Sequence, residues 1–186
     1  EMESMLVGYS DPRLAKMFSP ATDYTLFPLE EGAVYKGVRM GITIKSKNDR
    51  YGYSLPTIAN EDPGVFITAA EMWFCRAEGA LRGWDMGDNA ENLYHKGIQT
   101  SFTQYGVSGG YDSYIQCEKF PTGYEDTFLH KHAGLSEAEM TINDIPEDSP
   151  YINRVCPKWN NSDSKEVKLQ KIITQKWIAM YPDGIE

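Results

Sequence analysis

The stretch AEMWFCRAEGALRGW, residues 70–84, constrains this chain most, because its large side chains alternate with alanine and glycine. Phe66, Ala70, Trp73, Ala77, Leu81 and Trp84 recur at spacings of three and four. That period predicts a helix over 64–83 with this row turned to a core. Trp73 is expected inside, at a cost of about 3–5 kcal/mol if cut to alanine. Cys75 lies within the same pattern and is expected to be a buried, inert thiol. Glu78 and Arg82 stand at the favourable i,i+4 spacing, and Gly83 is placed to stop the helix.

A second helix follows at once. Asp88 is expected to cap it, with Glu91 three residues on in a capping-box arrangement. Ala90, Leu93, Tyr94, Gly97, Ile98, Ser101, Phe102 and Tyr105 form its stripe, and Gly106 closes it. Two amphipathic helices joined by a short turn make an antiparallel hairpin. Small residues let the backbones approach while large ones fill the grooves. Trp73, Ala77 and Ala80, then Ala90 and Tyr94, follow a degenerate tetratricopeptide pattern.

Around this hairpin the chain is less regular. Residues 1–63 are turn-rich, with Tyr24, Tyr35, Tyr51 and Tyr53 among glycine and proline. Residues 107–162 read as a long aromatic and polar connection, interrupted by a short helix opening at Ser136 with Glu139. Connections this long are usually functional or mobile. A terminal helix over 163–186 is expected to start at Asp163, with Glu166 in its first turn and Pro182 and Gly184 at its end. Leu169, Ile172, Ile173, Trp177 and Met180 are its expected buried row. The fold class is therefore mostly α, a helical hairpin with extended irregular loops.

Charge narrows the function. The net charge is −9 and the isoelectric point about 4.9. Such a surface repels phosphate backbones and argues against nucleic acid as a partner. No apolar run approaches the ~18 residues of a membrane span. The three cysteines, Cys75, Cys117 and Cys156, form no CxxC and, being odd in number, no disulfide framework; one bridge between Cys117 and Cys156 stays open. His130 and His132 form an HxH, but neither they nor His95 have a partner at ligand spacing, so no metal is expected. DMGDN at 85–89 resembles part of a calcium loop but lacks its remaining ligands. No GxSxG, HExxH, P-loop or GxGxxG occurs, so no enzyme and no cofactor are expected.

Several segments resemble one family. TAAEMWFCRAEGALRGW, NAENLYHKGIQTSFTQYGV and KLQKIITQKWIAMYPDGIE are similar to the C-terminal portion of SusD/RagB-type outer-membrane lipoproteins. GYSDPRLAKMFSPA and YKGVRMGI resemble the part preceding it. The resemblance implies a mostly α fold with tetratricopeptide-like hairpins and no catalytic activity. It implies a lipid anchor on the cell surface, capture of a glycan or sometimes a peptide, and delivery to a SusC-like TonB-dependent transporter. It also implies that the N-terminal part of the parent protein, with its signal and anchor, lies outside this chain. A helical-repeat scaffold binding another protein is the alternative.

Candidate ligand residues come from the residue types alone. Tyr35, Tyr51 and Tyr53 lie in loop-like sequence off any helical stripe and offer flat rings with hydroxyls. Trp159 and Asn160, with Asn161, pair an indole that can stack on a pyranose with amides that bind hydroxyls. Packing is the competing reading for Trp159, as it is for Trp84. Tyr111, Tyr114 and Tyr124 in the later loop are weaker candidates of the same kind.

Overall fold

A computed structural model describes residues 2–23, 32–38, 49–59, 61–62, 64–130 and 134–182. Tyr24, His132 and Gly184, named above, lie outside the described residues. In chain order the elements are α1 (Met2–Gly8), α2 (Leu14–Met17), β1 (Phe18–Ser19), β2 (Leu55–Pro56), α3 (Ala69–Leu81), α4 (Ala90–Gln104), α5 (Tyr111–Tyr114), α6 (Thr127–His130), α7 (Glu137–Met140) and α8 (Lys165–Ala179). Two compact units result. One combines Glu1–Ile58 with Pro121–Asn153, the other Ala59–Phe120 with Arg154–Glu186.

The first unit buries Leu6, Tyr9, Met17, Ala21 and Tyr53 and is laced by polar ties. After α1 the chain turns at Ser10, which has a left-handed φ of 53°. Asp11 then receives the backbone N–H of Arg13 at 2.9 Å and its guanidinium at 2.6 Å, with both side chains fully buried. The Asp-Pro turn is thus an internal fork that fixes the entry to α2. β1 and β2 pair antiparallel, Phe18 opposite Pro56 and Ser19 opposite Leu55. Beside them the N–H of Ala21 bonds the carbonyl of Val34, and that of Ser54 the carbonyl of Lys36. Tyr124 and Ile145 form a bridge. A Cβ on Gly123 would sit 2.7 Å from the Ile145 carbonyl oxygen, so this crossing requires glycine. The capping box of Ser136 and Glu139 forms as the spacing predicts.

The second unit is the helical hairpin with α8 packed on both of its members. α4 buries Leu93, Tyr94, Gly97, Ile98, Ser101 and Phe102 of the expected stripe, while Ala90 and Tyr105 at its ends are half-buried, and Gly106 leaves it at a φ of 67°. α3 is shorter than expected. Thr68 caps it by accepting the N–H of Glu71 at 3.0 Å, so residues 64–67 precede the helix and do not follow its period. Phe66 is accordingly fully exposed instead of in the core row. Gly83, at a φ of 92°, ends the helix as expected, and Glu78 and Arg82 pair at 2.6 Å.

The buried row of α3 is Ala70, Phe74 and Ala77, not the row through Trp73. Gly97 of α4 explains the offset. A Cβ there would lie 2.6 Å from the Phe74 ring, so the ring rests on bare α4 backbone. Phe74 therefore occupies the core place expected for Trp73. Trp73 is half-buried, with the Arg76 guanidinium 4.6 Å and the Lys96 ammonium 5.2 Å from its ring centroid. Cys75, turned one step further from Phe74, is exposed instead of buried.

Two helix starts move by one residue. Asn89, not Asp88, caps α4 by accepting the N–H of Asn92 at 2.9 Å, and Ser164, not Asp163, caps α8. In each case the neighbouring aspartate has other work. Asp88 binds the Asn92 amide and Lys96, and Asp163 binds Lys171 at 2.7 Å. The buried face of α8 is also more polar than its apolar period predicts. Lys171, Ile172, Thr174, Gln175, Ile178 and Ala179 are inside, and Ile173 is half exposed. The Gln175 amide bonds the Tyr114 hydroxyl at 2.9 Å, and the Lys171 ammonium also donates to the Lys158 carbonyl, so both polar ends are satisfied.

Candidate functional site

Tyr51 is the best presented of the candidate tyrosines. Its backbone is fixed because its carbonyl accepts the N–H groups of both Thr22 and Asp23 at 2.9 Å. Its ring is 41 % exposed, with the Arg50 guanidinium 5.5 Å from the centroid. Tyr53, two residues on, is only 6 % exposed and belongs to the packing of the unit. Tyr35 is half-buried on the segment held by the Lys36–Ser54 bonds. Next to it Lys36 reaches Glu3 at 3.1 Å and donates to the Glu125 carbonyl. The ring of Tyr51 is thus the open one on a rigid frame, with a cation beside it.

Trp159 and Asn160 lie in the other unit. The Trp159 indole is 8 % exposed and packs on Tyr94 with centroids 5.2 Å apart. Its N–H donates to Asn161 at 3.1 Å, so neither ring face nor donor is open to a ligand. Asn160 is exposed, and its side-chain carbonyl accepts both donors of Ser162, forming the turn that leads into α8. Its amide nitrogen has no partner among the described residues. Within their units, then, Tyr51 and Asn160 keep open surface, Tyr35 keeps some, and Tyr53 and Trp159 are taken up in packing.

Two exposed aromatics escape a reading based on period. Trp84 is 63 % exposed just past α3, with one ring edge against Gly79. Phe66 is exposed just before α3. Both fall on the helical period by numbering but stand outside the helix. Thr68 as a cap and Gly83 as a stop are the signals that mark them off.

Ionisable groups are engaged structurally. The Asn92 amide, the Asn89 N–H and Lys96 hold the Asp88 carboxyl below its usual range, so the calcium-like stretch organises a helix start. Burial lowers the pKa of His95, against a smaller opposing effect of Glu91. His130 lies between Asp144 at 2.7 Å and Glu125 at 3.4 Å. Among the described residues no three His, Cys, Asp or Glu side chains are grouped to hold a metal.

The family profile described as Susd and RagB outer membrane lipoprotein matches residues 1–186. The chain belongs to the SusD-like family. A SusD homologue from Bacteroides thetaiotaomicron shares 35 % identity and superposes with a TM-score of 0.78, over 98 % of this chain and 34 % of its own. A chitin-binding SusD homologue from Flavobacterium johnsoniae shares 38 % identity with a TM-score of 0.73, over 98 % and 34 %. A SusD homologue from Bacteroides uniformis is 34 % identical with a TM-score of 0.78, over 98 % and 33 %. A comparison with curated proteins gives no match. The SusD-like chain spans about a third of the length of these solved relatives. Its mostly helical fold, built on a tetratricopeptide-like hairpin, is the SusD type.

Proposed function

We propose that this chain is part of a non-catalytic, surface-exposed outer-membrane lipoprotein. The protein would capture an oligosaccharide and pass it to a SusC-like TonB-dependent transporter. The family match over the whole chain carries the reading. The 38 % identity to a relative described as chitin-binding supports a glycan as the ligand class. In the first unit Tyr51 would offer a ring to a pyranose face, with Arg50 beside it, and Tyr35 a hydroxyl; in the second unit Asn160 would, by itself, offer an amide. Tyr53 and Trp159 would act by holding these surfaces in place.

The test is calorimetry on the protein at its natural length, with neutral, N-acetylated and uronic oligosaccharides and a peptide pool. Saturable binding of a glycan supports the reading. Binding of peptides alone would move the protein to the peptide-uptake branch. Retention of the transporter on the tagged protein, from detergent-solubilised membranes, tests the partnership separately.

A further inference from the structure

The helical unit is interrupted once. Its chain leaves after Phe120 and returns at Arg154. A cysteine stands at each side of the break, Cys117 just before the exit and Cys156 just after the return. The structure holds both as half-buried thiols.

The two edges of the break lie side by side. The Lys158 N–H donates to the Cys117 carbonyl oxygen at 3.1 Å, and the Lys158 ammonium pairs with Glu118 at 2.6 Å. Hydrogen-bonded chains of this kind run about 5 Å apart. The Cys156 side chain is turned the same way. Its sulfur is 3.8 Å from the Lys158 carbonyl oxygen, so it leans toward the residue that holds Cys117. Buried Lys171 fixes this bend by donating to the Lys158 carbonyl, and its ammonium is 3.8 Å from the Cys156 sulfur. Tyr94 anchors the intervening Pro157 from the hairpin. A disulfide needs Cα atoms about 4.4–6.8 Å apart. That is the spacing of neighbouring chains, and Cys156 is offset from the Lys158 contact only by Pro157.

We propose that Cys117 and Cys156 join as a disulfide in the exported protein, a staple across the neck of the helical unit. The inference rests on the outer-membrane reading, which takes the chain through an oxidising compartment. The oxidant is a thiol–disulfide exchange protein of the cell envelope. The Cys156 thiolate attacks its disulfide, with the Lys171 ammonium as counter-charge. The Cys117 thiolate then attacks the Cys156 sulfur of the mixed disulfide, which forms the new bond and expels the oxidant as a dithiol. Two electrons pass to the oxidant, and the two thiol protons balance its two new thiols. The bridge closes residues 117–156 into a loop, so the segment leading to α8 stays tethered to the hairpin side even when the unit opens. Cys75, within α3, is left as a thiol.

The experiment takes natural-length protein from membranes of cells that express it, with thiols blocked by N-ethylmaleimide at lysis. Peptide mapping without reduction should show the Cys117 and Cys156 peptides joined, two hydrogens lighter than their sum, and Cys75 carrying the maleimide. Dithiothreitol should lower the melting temperature of the wild type and leave that of the Cys117→Ser, Cys156→Ser double variant unmoved. Maleimide on both Cys117 and Cys156, in protein that fractionates with the outer membrane, would overturn the staple and leave the outer-membrane reading standing. A bridge from either of them to Cys75 would overturn it too. Both thiols blocked in protein missing from that fraction would overturn the two readings together.

Discussion

The phenol of Tyr94 donates to the carbonyl oxygen of Pro157 across 2.7 Å, with both residues buried. This bond ties the inside of the hairpin to the segment that leads into α8. Tyr94→Phe keeps the ring but leaves that carbonyl without its donor. A buried orphan acceptor costs about 1–3 kcal/mol. Urea denaturation should show a lower midpoint at an unchanged slope, with the stability extrapolated to water reduced by that amount.

Phe74 and Gly97 form a matched pair. Gly97→Ala places a methyl where the ring lies, and overpacking of this kind costs about 1–3 kcal/mol. Phe74→Ala should cost about 3–5 kcal/mol. A double-mutant cycle of Gly97→Ala with Phe74→Leu should give a favourable coupling, because the smaller side chain makes room for the methyl. Strict additivity would show that the two do not touch.

Trp73 should matter less than its size implies. It is half-buried and flanked by Arg76 and Lys96, cation–ring contacts worth about 0.5–1 kcal/mol each at exposed sites. Trp73→Ala should therefore cost clearly less than Phe74→Ala when both are measured by thermal denaturation. Raised salt should do little to the difference, since desolvation of the rings dominates it.

The buried Asp11–Arg13 fork allows a sharper loss. Arg13→Leu removes a fully enclosed cation and leaves its carboxylate partner inside. Breaking a buried pair from one side costs about 3–5 kcal/mol. Protease sensitivity of the first unit should rise in this variant, read as earlier cleavage within residues 1–58.

His95 sets a pH dependence. Burial lowers its pKa in the folded state, so the unfolded chain takes up the proton more readily. Its contribution to stability is present above the usual histidine value and is lost as pH falls through the lower folded value. Melting temperature should drop between pH 7.5 and 5 more steeply in the wild type than in His95→Gln. Parallel profiles would remove His95 from the cause.

α4 is legible in the sequence because its stripe from Leu93 to Phe102 is buried along its whole length, against α3 on one side and α8 with the segments beside it on the other. α3 is legible as a helix but not in its rotation. Ala70 and Ala77 are shared by either row, and choosing Phe74 over Trp73 depends on Gly97, a residue of the opposite helix. α8 misleads for a related reason. Its buried polar residues are satisfied off its own stripe, Gln175 by Tyr114 far away in the chain and Lys171 by Lys158 and Asp163 in the segment just before the helix. The candidate site is the least legible part. Nothing local distinguishes the exposed ring of Tyr51 from the buried ring of Tyr53, since each lies in similar glycine-rich sequence. What separates them is packing with the rest of the unit, which encloses Tyr53 and leaves Tyr51 open.

Because residues 121–153 belong to one unit while 59–120 and 154–186 make up the other, the helical unit is discontinuous along the polypeptide. During synthesis α3 and α4 emerge well before α8 can reach them, so the hairpin must wait with its third wall missing until the intervening excursion has been made. Any expression boundary drawn after residue 120 would strand Tyr114 without Gln175 and Tyr94 without Pro157, and would yield an open-sided hairpin in place of a domain.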